Sequence, residues 1–183
     1  MRHALSTVLV LQVLCCGAQG LANDSSAALT LGSTISLPRN HAQVLHRARE
    51  AWQYTFGREP GAQLSALDTV AMTMEGSAYI RFRSEMLVGR EQTMGIIAYK
   101  VKVQARNGEC RTRITELRHV GNHNAVRGAI DVGLLTNNNV PPRKVRGMGR
   151  GNATQLWKEL KTVSQEHLEA LLRRYEAVLR RDP

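Results

Sequence analysis

The dipeptide Asn107-Gly108, set between two runs of alternating residues, constrains this chain more than any other feature. A two-residue type I′ turn needs φ > 0 at both central positions, which Asn and Gly tolerate. The stretch "YKVKVQARNGECRTRITEL", residues 99–117, therefore reads as one β-hairpin. The turn fixes the register: Ala105 faces Cys110, Val103 faces Thr112 and Val101 faces Ile114, with Ile97 and Tyr99 extending the same face. That face is apolar or small throughout and is expected to point into a core. The opposite face carries Lys100, Lys102, Gln104, Arg111, Arg113 and Thr115. Lys102 falls directly opposite Arg113, a like-charge pair that destabilises unless something anionic compensates. Two readings follow: a solvated outer face with its long side chains splayed apart, or a sheet surface that meets an anion.

Charge is distributed unevenly over the 183 residues, whose net charge is +10. Over residues 97–118, Lys100, Lys102, Arg106, Arg111, Arg113 and Arg118 are balanced only by Glu109 and Glu116. Over 121–151, Arg127, Arg143, Lys144, Arg146 and Arg150 are balanced only by Asp131. The excess is therefore local, in one hairpin and one loop.

Residues 1–22, "MRHALSTVLVLQVLCCGAQGLA", read as a secretory signal peptide: a short basic start, an apolar run from Ala4 to Cys16 too short to span a bilayer, then small residues. Cleavage is expected after Gly20 or Ala22, and export to a periplasmic or extracellular location follows. The rival reading is an outer-membrane lipoprotein anchored through Cys15 or Cys16, but neither cysteine is preceded by a small residue. After cleavage Cys110 remains alone, so no intramolecular disulfide is expected, and its place on the core face makes it a packing thiol. In an exported protein the anionic partners to consider are acidic envelope polymers and lipid headgroups.

Residues 23–36 are small and polar and read as a linker. One domain is expected over 37–183, about 160 residues after cleavage being enough for a single core. A helix is expected from about His41 to Phe56, with Asn40 as N-cap, Gly57 beyond its end, and Leu45, Ala48, Trp52 and Phe56 as its apolar stripe. "AQLSALD" and "AMTMEGSAYIRFRS" read as strands, with Gly76 marking a bulge or bend. Residues 121–151 form a long Gly- and Asn-rich loop in which "AIDVGLLT" is a short strand candidate. The loop is read as mobile and solvated, with anion clamping as the alternative. A long helix closes the chain, capped by Asn152 or Thr154, with Leu156, Leu160, Leu168, Leu171 and Tyr175 at helical spacing.

The order of helix, short strands, hairpin and long helix implies an α+β domain with helices on one face of an antiparallel sheet. "HAQVLHRAREAWQYTFG", "LDTVAMTMEGSAYIRF" and "IIAYKVKVQARNGECRTRITELRHVG" resemble a family of exported bacterial domains of unknown function, described as TATA-binding-protein-like in fold. The shared pattern is a helix with a Trp near its end, a Gly-punctuated strand, and this hairpin, over roughly residues 41–120. The resemblance implies a curved antiparallel sheet with the N-terminal and the long C-terminal helix packed on one face. It implies no activity and supplies no functional residues. The long basic loop departs from the pattern.

No motif joins acids, bases or metal ligands in a convergent set, and the glycines fit neither a Walker loop nor a Rossmann fingerprint. His119 and His123 have ligand spacing only on a helix, and here they sit where a strand runs into a loop. Asp131 with either histidine is the one catalytic pairing the chain offers. No catalytic residue, cofactor site or metal site is assigned, and the chain is read as more binding module than enzyme. The candidate anion-binding surface comprises Lys100, Lys102, Arg111 and Arg113 of the hairpin with Arg143, Lys144, Arg146 and Arg150 of the loop. The expected partner is an anionic envelope polymer, a lipid headgroup or a protein, with no specific nucleic-acid role. An assembly component that offers an exposed strand edge to a partner strand is the alternative.

Replacing Gly108 by Val tests the hairpin directly. A β-branched residue at φ > 0 costs on the order of 1–2 kcal/mol, and the register of the core face depends on the turn. Gly108→Val is expected to lower the melting temperature, and an unchanged value would remove the turn from the argument.

Overall fold

The computed structural model describes residues 27–141 and 143–181, so the signal-peptide reading of 1–22, with Cys15 and Cys16, lies outside the described residues. Strands β4 (Gly95–Arg106) and β5 (Glu109–Gly121) form the hairpin. The pairs Ala105↔Cys110, Val103↔Thr112, Val101↔Ile114 and Lys102↔Arg113 are those the dipeptide predicts. The turn itself is of another kind. Gly108 has φ +76°, but Asn107 is not among the residues at positive φ, which is the sign pattern of a type II turn. The side chain of Asn107 gives the reason. Its Oδ1 accepts the His41 backbone N–H at 2.9 Å and lies 2.8 Å from His41 Nδ1. Asn107 thus serves the first turn of helix α1 (His41–Tyr54), while Gly108 donates to the Arg39 carbonyl and accepts from the Leu37 N–H, both at 2.9 Å. The strain at Gly108 is unaffected by the change of turn type.

Asn40 caps α1 as expected, in a reciprocal box with Gln43. The helix stops at Tyr54, and Phe56 falls in the short 3-10 turn that follows. Strands β2 (Gln63–Asp68) and β3 (Thr73–Phe82) extend the sheet beside β4. On the far side of β5 lies β1 (Leu31–Ser36), inside the residues read as linker. As an edge strand it needs little apolar content: Ile35 alone is fully buried, while Gly32, Thr34 and Ser36 stay exposed. The order is β1-β5-β4-β3-β2, with β6 (Gly133–Leu134) pairing β5 further along the same side as β1.

A bulge divides β5. Ala98 pairs with Arg118 but Lys100 with Thr115, so Tyr99 alone opposes Glu116 and Leu117. Glu116 takes φ +55° to make it. Cys110, Thr112 and Ile114 face inward before the bulge; Leu117, His119 and Gly121 do so after it.

Helices α1 and α2 (Arg150–Arg180) pack on this inner face, α2 spanning about 46 Å. Its N-cap is Gly149, three residues before Asn152. Gly76, expected to mark a bulge, is a regular strand position paired with Val101; the irregularity lies across from it, at Ser65 on β2. A Cβ on Gly76 would sit 2.4 Å from the Trp52 ring, so the missing side chain is what seats the indole on the sheet. Trp52 stacks on Phe56 and Phe56 meets Tyr175, both at 5.3 Å, and the Tyr175 hydroxyl donates to the Ala48 carbonyl at 3.2 Å. The long loop is packed where mobility was expected. Ile130, Leu135, Val145 and Met148 are buried in the common core. Trp157 Nε1 donates to the Asn138 carbonyl at 2.9 Å, and Lys161 Nζ reaches the same oxygen at 3.0 Å.

The bulge also carries His119 inward, where it is fully buried. Its Nε2 lies 3.2 Å from the Thr93 carbonyl, its Nδ1 accepts the Val132 N–H at 3.4 Å, and its ring meets Phe82 edge-on at 5.5 Å. These contacts select a neutral ring with the proton on Nε2. Burial lowers the pKa from 6.5 to about 4, against weaker opposing effects of the Thr93 bond and Asp131. The unfolded chain therefore takes up this proton first as pH falls, so the contribution is whole above pH 6.5 and is lost between 6.5 and 4. Between pH 7 and 4.5 the wild type is expected to lose about 2–3 kcal/mol through this residue. Urea unfolding of wild type and His119→Gln at both pH values checks it. The gap between the two should narrow in acid, and parallel pH curves would exclude His119 as the titrating group.

Candidate anion-binding surface

The outer face of the sheet is left open, since both helices lie on the inner one. Strand alternation places Lys100, Lys102 and Arg106 of β4 on it, and Arg111 and Arg113 of β5. The bulge adds Arg118, which strict alternation would have turned inward. Glu75 of β3 lies in the same cross-strand row as Lys102 and Arg113.

That row resolves the Lys102–Arg113 repulsion. The Lys102 ammonium reaches away from Arg113 to Glu75, at 2.7 Å. Lys100 pairs with Glu116 at 2.8 Å, and Arg111 pairs with Glu109. The Arg111 hydrogen bond holds the Glu109 carboxyl below the usual carboxylate range and raises the guanidinium in turn. Arg113 is opposite Gly32 on its other flank, so no side chain shields it from β1. Among the described residues Arg113 and Arg118 make no ion pair. With Arg81 of β3 and Arg106, exposed on the same face and likewise without an ion pair among the described residues, they carry its excess positive charge. Arg118, Glu109 and Glu116 entered the sequence reading only as charges of the hairpin, and neither they nor Glu75 were assigned to the surface. The signal was Leu117, an apolar residue at a position that alternation assigns to solvent.

The loop residues of the candidate set lie elsewhere. Arg143, Lys144, Arg146 and Arg150 are exposed where the loop runs into α2, with Val145 and Met148 between them buried on the helix side. Gly147 lies against Ile130, whose N–H donates to the Gln92 carbonyl just before β4. This is the end of the hairpin away from the Asn107-Gly108 turn. The structure thus groups the four hairpin cations and, separately, the four loop cations.

Of the one catalytic pairing suggested by sequence, Asp131 with either histidine, the structure brings Asp131 to His123 and withholds His119. Both nitrogens of His119 are occupied by backbone groups. His123 is exposed, 3.5 Å from the Asp131 carboxylate, whose Oδ1 also accepts the Gly121 N–H at 2.8 Å. Among the described residues no group of three or more His, Cys, Asp or Glu is placed to hold a metal. Cys110 is buried, and burial pushes its thiol up to about 11, so it stays protonated and unreactive near neutrality. No described helix is long and apolar enough to cross a membrane.

No protein-family profile and no curated protein sequence matches the chain. Two solved structures share its architecture. A DUF4468 family protein from Bacteroides ovatus is 12% identical with a TM-score of 0.52, over 85% of this chain and 88% of that one. A TBP-like protein from Parabacteroides distasonis is 9% identical with a TM-score of 0.51, over 85% of this chain and 95% of that one. At such identities the likeness is one of fold. The chain has the TATA-binding-protein-like fold of these bacterial domains, the curved antiparallel sheet backed by a short and a long helix that the sequence resemblance implied.

Proposed function

We propose that the protein is an exported, non-catalytic binding module of the cell envelope or periplasm, whose open sheet face engages an anionic polymer. The observation that carries this reading is the unshielded outer face, where Glu116, Glu75 and Glu109 are committed to Lys100, Lys102 and Arg111 while Arg113 and Arg118 make no ion pair among the described residues. An extended polyanion fits such a face better than a small ligand does, because the cations lie along strands and not around a cavity. Export rests on the pattern of residues 1–22. A second reading, an assembly component, is favoured by β2. It is the free edge of the sheet, exposed along its whole length, with Leu64 and Leu67 each 39% exposed.

Two measurements test the proposal. Arg113→Ser with Arg118→Ser removes cations that stabilise nothing within the fold, so the melting temperature should hold, a change within about 0.5 kcal/mol. The variant should leave a heparin column at clearly lower salt than Lys158→Ser with Arg174→Ser, which removes the same charge from the exposed side of α2. Equal elution of the two variants would reduce the face to a solubility device. N-terminal sequencing of the protein secreted from a bacterial host should find Leu21 or Asn23 first; a lipidated Cys15 or Cys16 would move it to a membrane anchor.

A further inference from the structure

The four loop cations frame a feature that the sheet-face reading does not use. Between the loop and the start of α2 lies a half-open cleft of about 500 Å³, within the roughly 300–1,000 Å³ typical of small-molecule sites. Its floor and walls are apolar: Val140, Val145, Met148 and Ala153, of which Val145, Met148 and Ala153 are buried. Arg143, Lys144 and Arg150 stand at its rim. No Asp or Glu lines it, and none of the three cations makes an ion pair among the described residues. On the sheet face, by contrast, Glu75, Glu109 and Glu116 each neutralise a neighbour. The cleft walls are held in place by the burial of Val145 and Met148 and by the bonds from Trp157 and Lys161 to Asn138.

We propose that this cleft binds a single-chain anionic amphiphile of the fatty-acid class, its acyl chain on the Val140–Val145–Met148–Ala153 surface and its carboxylate among Arg143, Lys144 and Arg150. The two halves of the site ask for two halves of one ligand. Apolar surface left half open is stabilised when a hydrocarbon chain covers it. Uncompensated guanidinium and ammonium groups over an apolar floor are less screened than on an open face, and a carboxylate is the group they bind most directly. A free inorganic anion would leave the apolar floor wet, and a neutral alcohol would leave the cations unpaired.

Calorimetric titration of the purified chain with dodecanoate, kept below its micelle concentration, tests this. Saturable binding at one site is expected, with dodecanol and acetate each binding much more weakly. Lys144→Gln with Arg150→Gln should weaken dodecanoate by about tenfold or more, the loss expected for removing charged hydrogen-bond donors. Val140→Glu, at a half-exposed position where folding is not at stake, should do the same by placing a carboxylate against the acyl chain. Arg113→Ser with Arg118→Ser should leave the affinity unchanged. No saturable heat, equal affinity for acetate or dodecanol, or unaltered binding by the two cleft variants would each overturn the proposal. So would binding to anionic phospholipid vesicles without binding to free dodecanoate, which would mark a bilayer contact instead.

Discussion

The left-handed residue at Glu116 is the constraint from which the rest of the sheet takes its form. A strand of 13 residues that alternated strictly would bury Cys110, Thr112 and Ile114 and then turn Leu117 and His119 out to water. The bulge shifts the parity once, between Thr115 and Leu117, and keeps both halves of β5 on the core. A non-glycine residue at φ +55° costs about 1–2 kcal/mol. Burial of Leu117, worth about 1.5–3 kcal/mol, offsets that cost. The Glu116 carboxylate, set outward by the same turn, finds Lys100. One local irregularity thus decides which residues reach the core, where Arg118 points, and that His119 becomes a buried clasp between the segment before β4 and the approach to β6.

The two faces of the sheet are stabilised by different physics. On the inner face shape decides: the indole of Trp52 lies where Gly76 has no side chain, and Phe56 and Tyr175 carry the contact on to α2. On the outer face the ladder of backbone hydrogen bonds holds the strands, and side-chain ion pairs add little, since exposed pairs contribute about 0–1 kcal/mol each. Lys102 and Arg113 coexist because Glu75, two strands from Arg113, draws the lysine aside. Charge on this face is therefore not needed to hold the fold, which leaves it open to serve a partner.

What the sequence disclosed and what it hid divide along the range of the interactions. The hairpin register was legible because Asn107-Gly108 and strict alternation are local and mutually consistent. The α1 cap was legible for the same reason. The turn type was not, because His41, 66 positions away in the chain, recruits the Asn107 side chain. β1 was hidden in "LGSTIS", where a single fully buried residue suffices for an edge strand. The loop over 121–151 looked solvated because Ile130, Leu135, Val145 and Met148 follow no helical or strand period. They are anchored one at a time by contacts to distant elements, and no window of sequence contains those contacts. The hairpin half of the candidate surface was thus readable, while the cleft was not, since its walls meet only when the loop folds back on α2.

The same excess of positive charge acts differently in its two settings. At physiological ionic strength exposed charges are screened beyond about 8 Å. Arg113 and Arg118, on an open sheet, therefore attract best a ligand that brings many charges at once. Each contact is weak, and attraction sums along the strands. Arg143, Lys144 and Arg150 stand beside buried apolar side chains, where water is partly excluded and a single anionic group is held more firmly. Their attraction depends less on salt and more on what fills the floor beneath them. The two groups sit on opposite layers of the domain, and no hydrogen bond or ion pair among the described residues joins them. On the two proposals made above, the sheet face answers to salt and the cleft to the acyl chain, and each can be altered without disturbing the other.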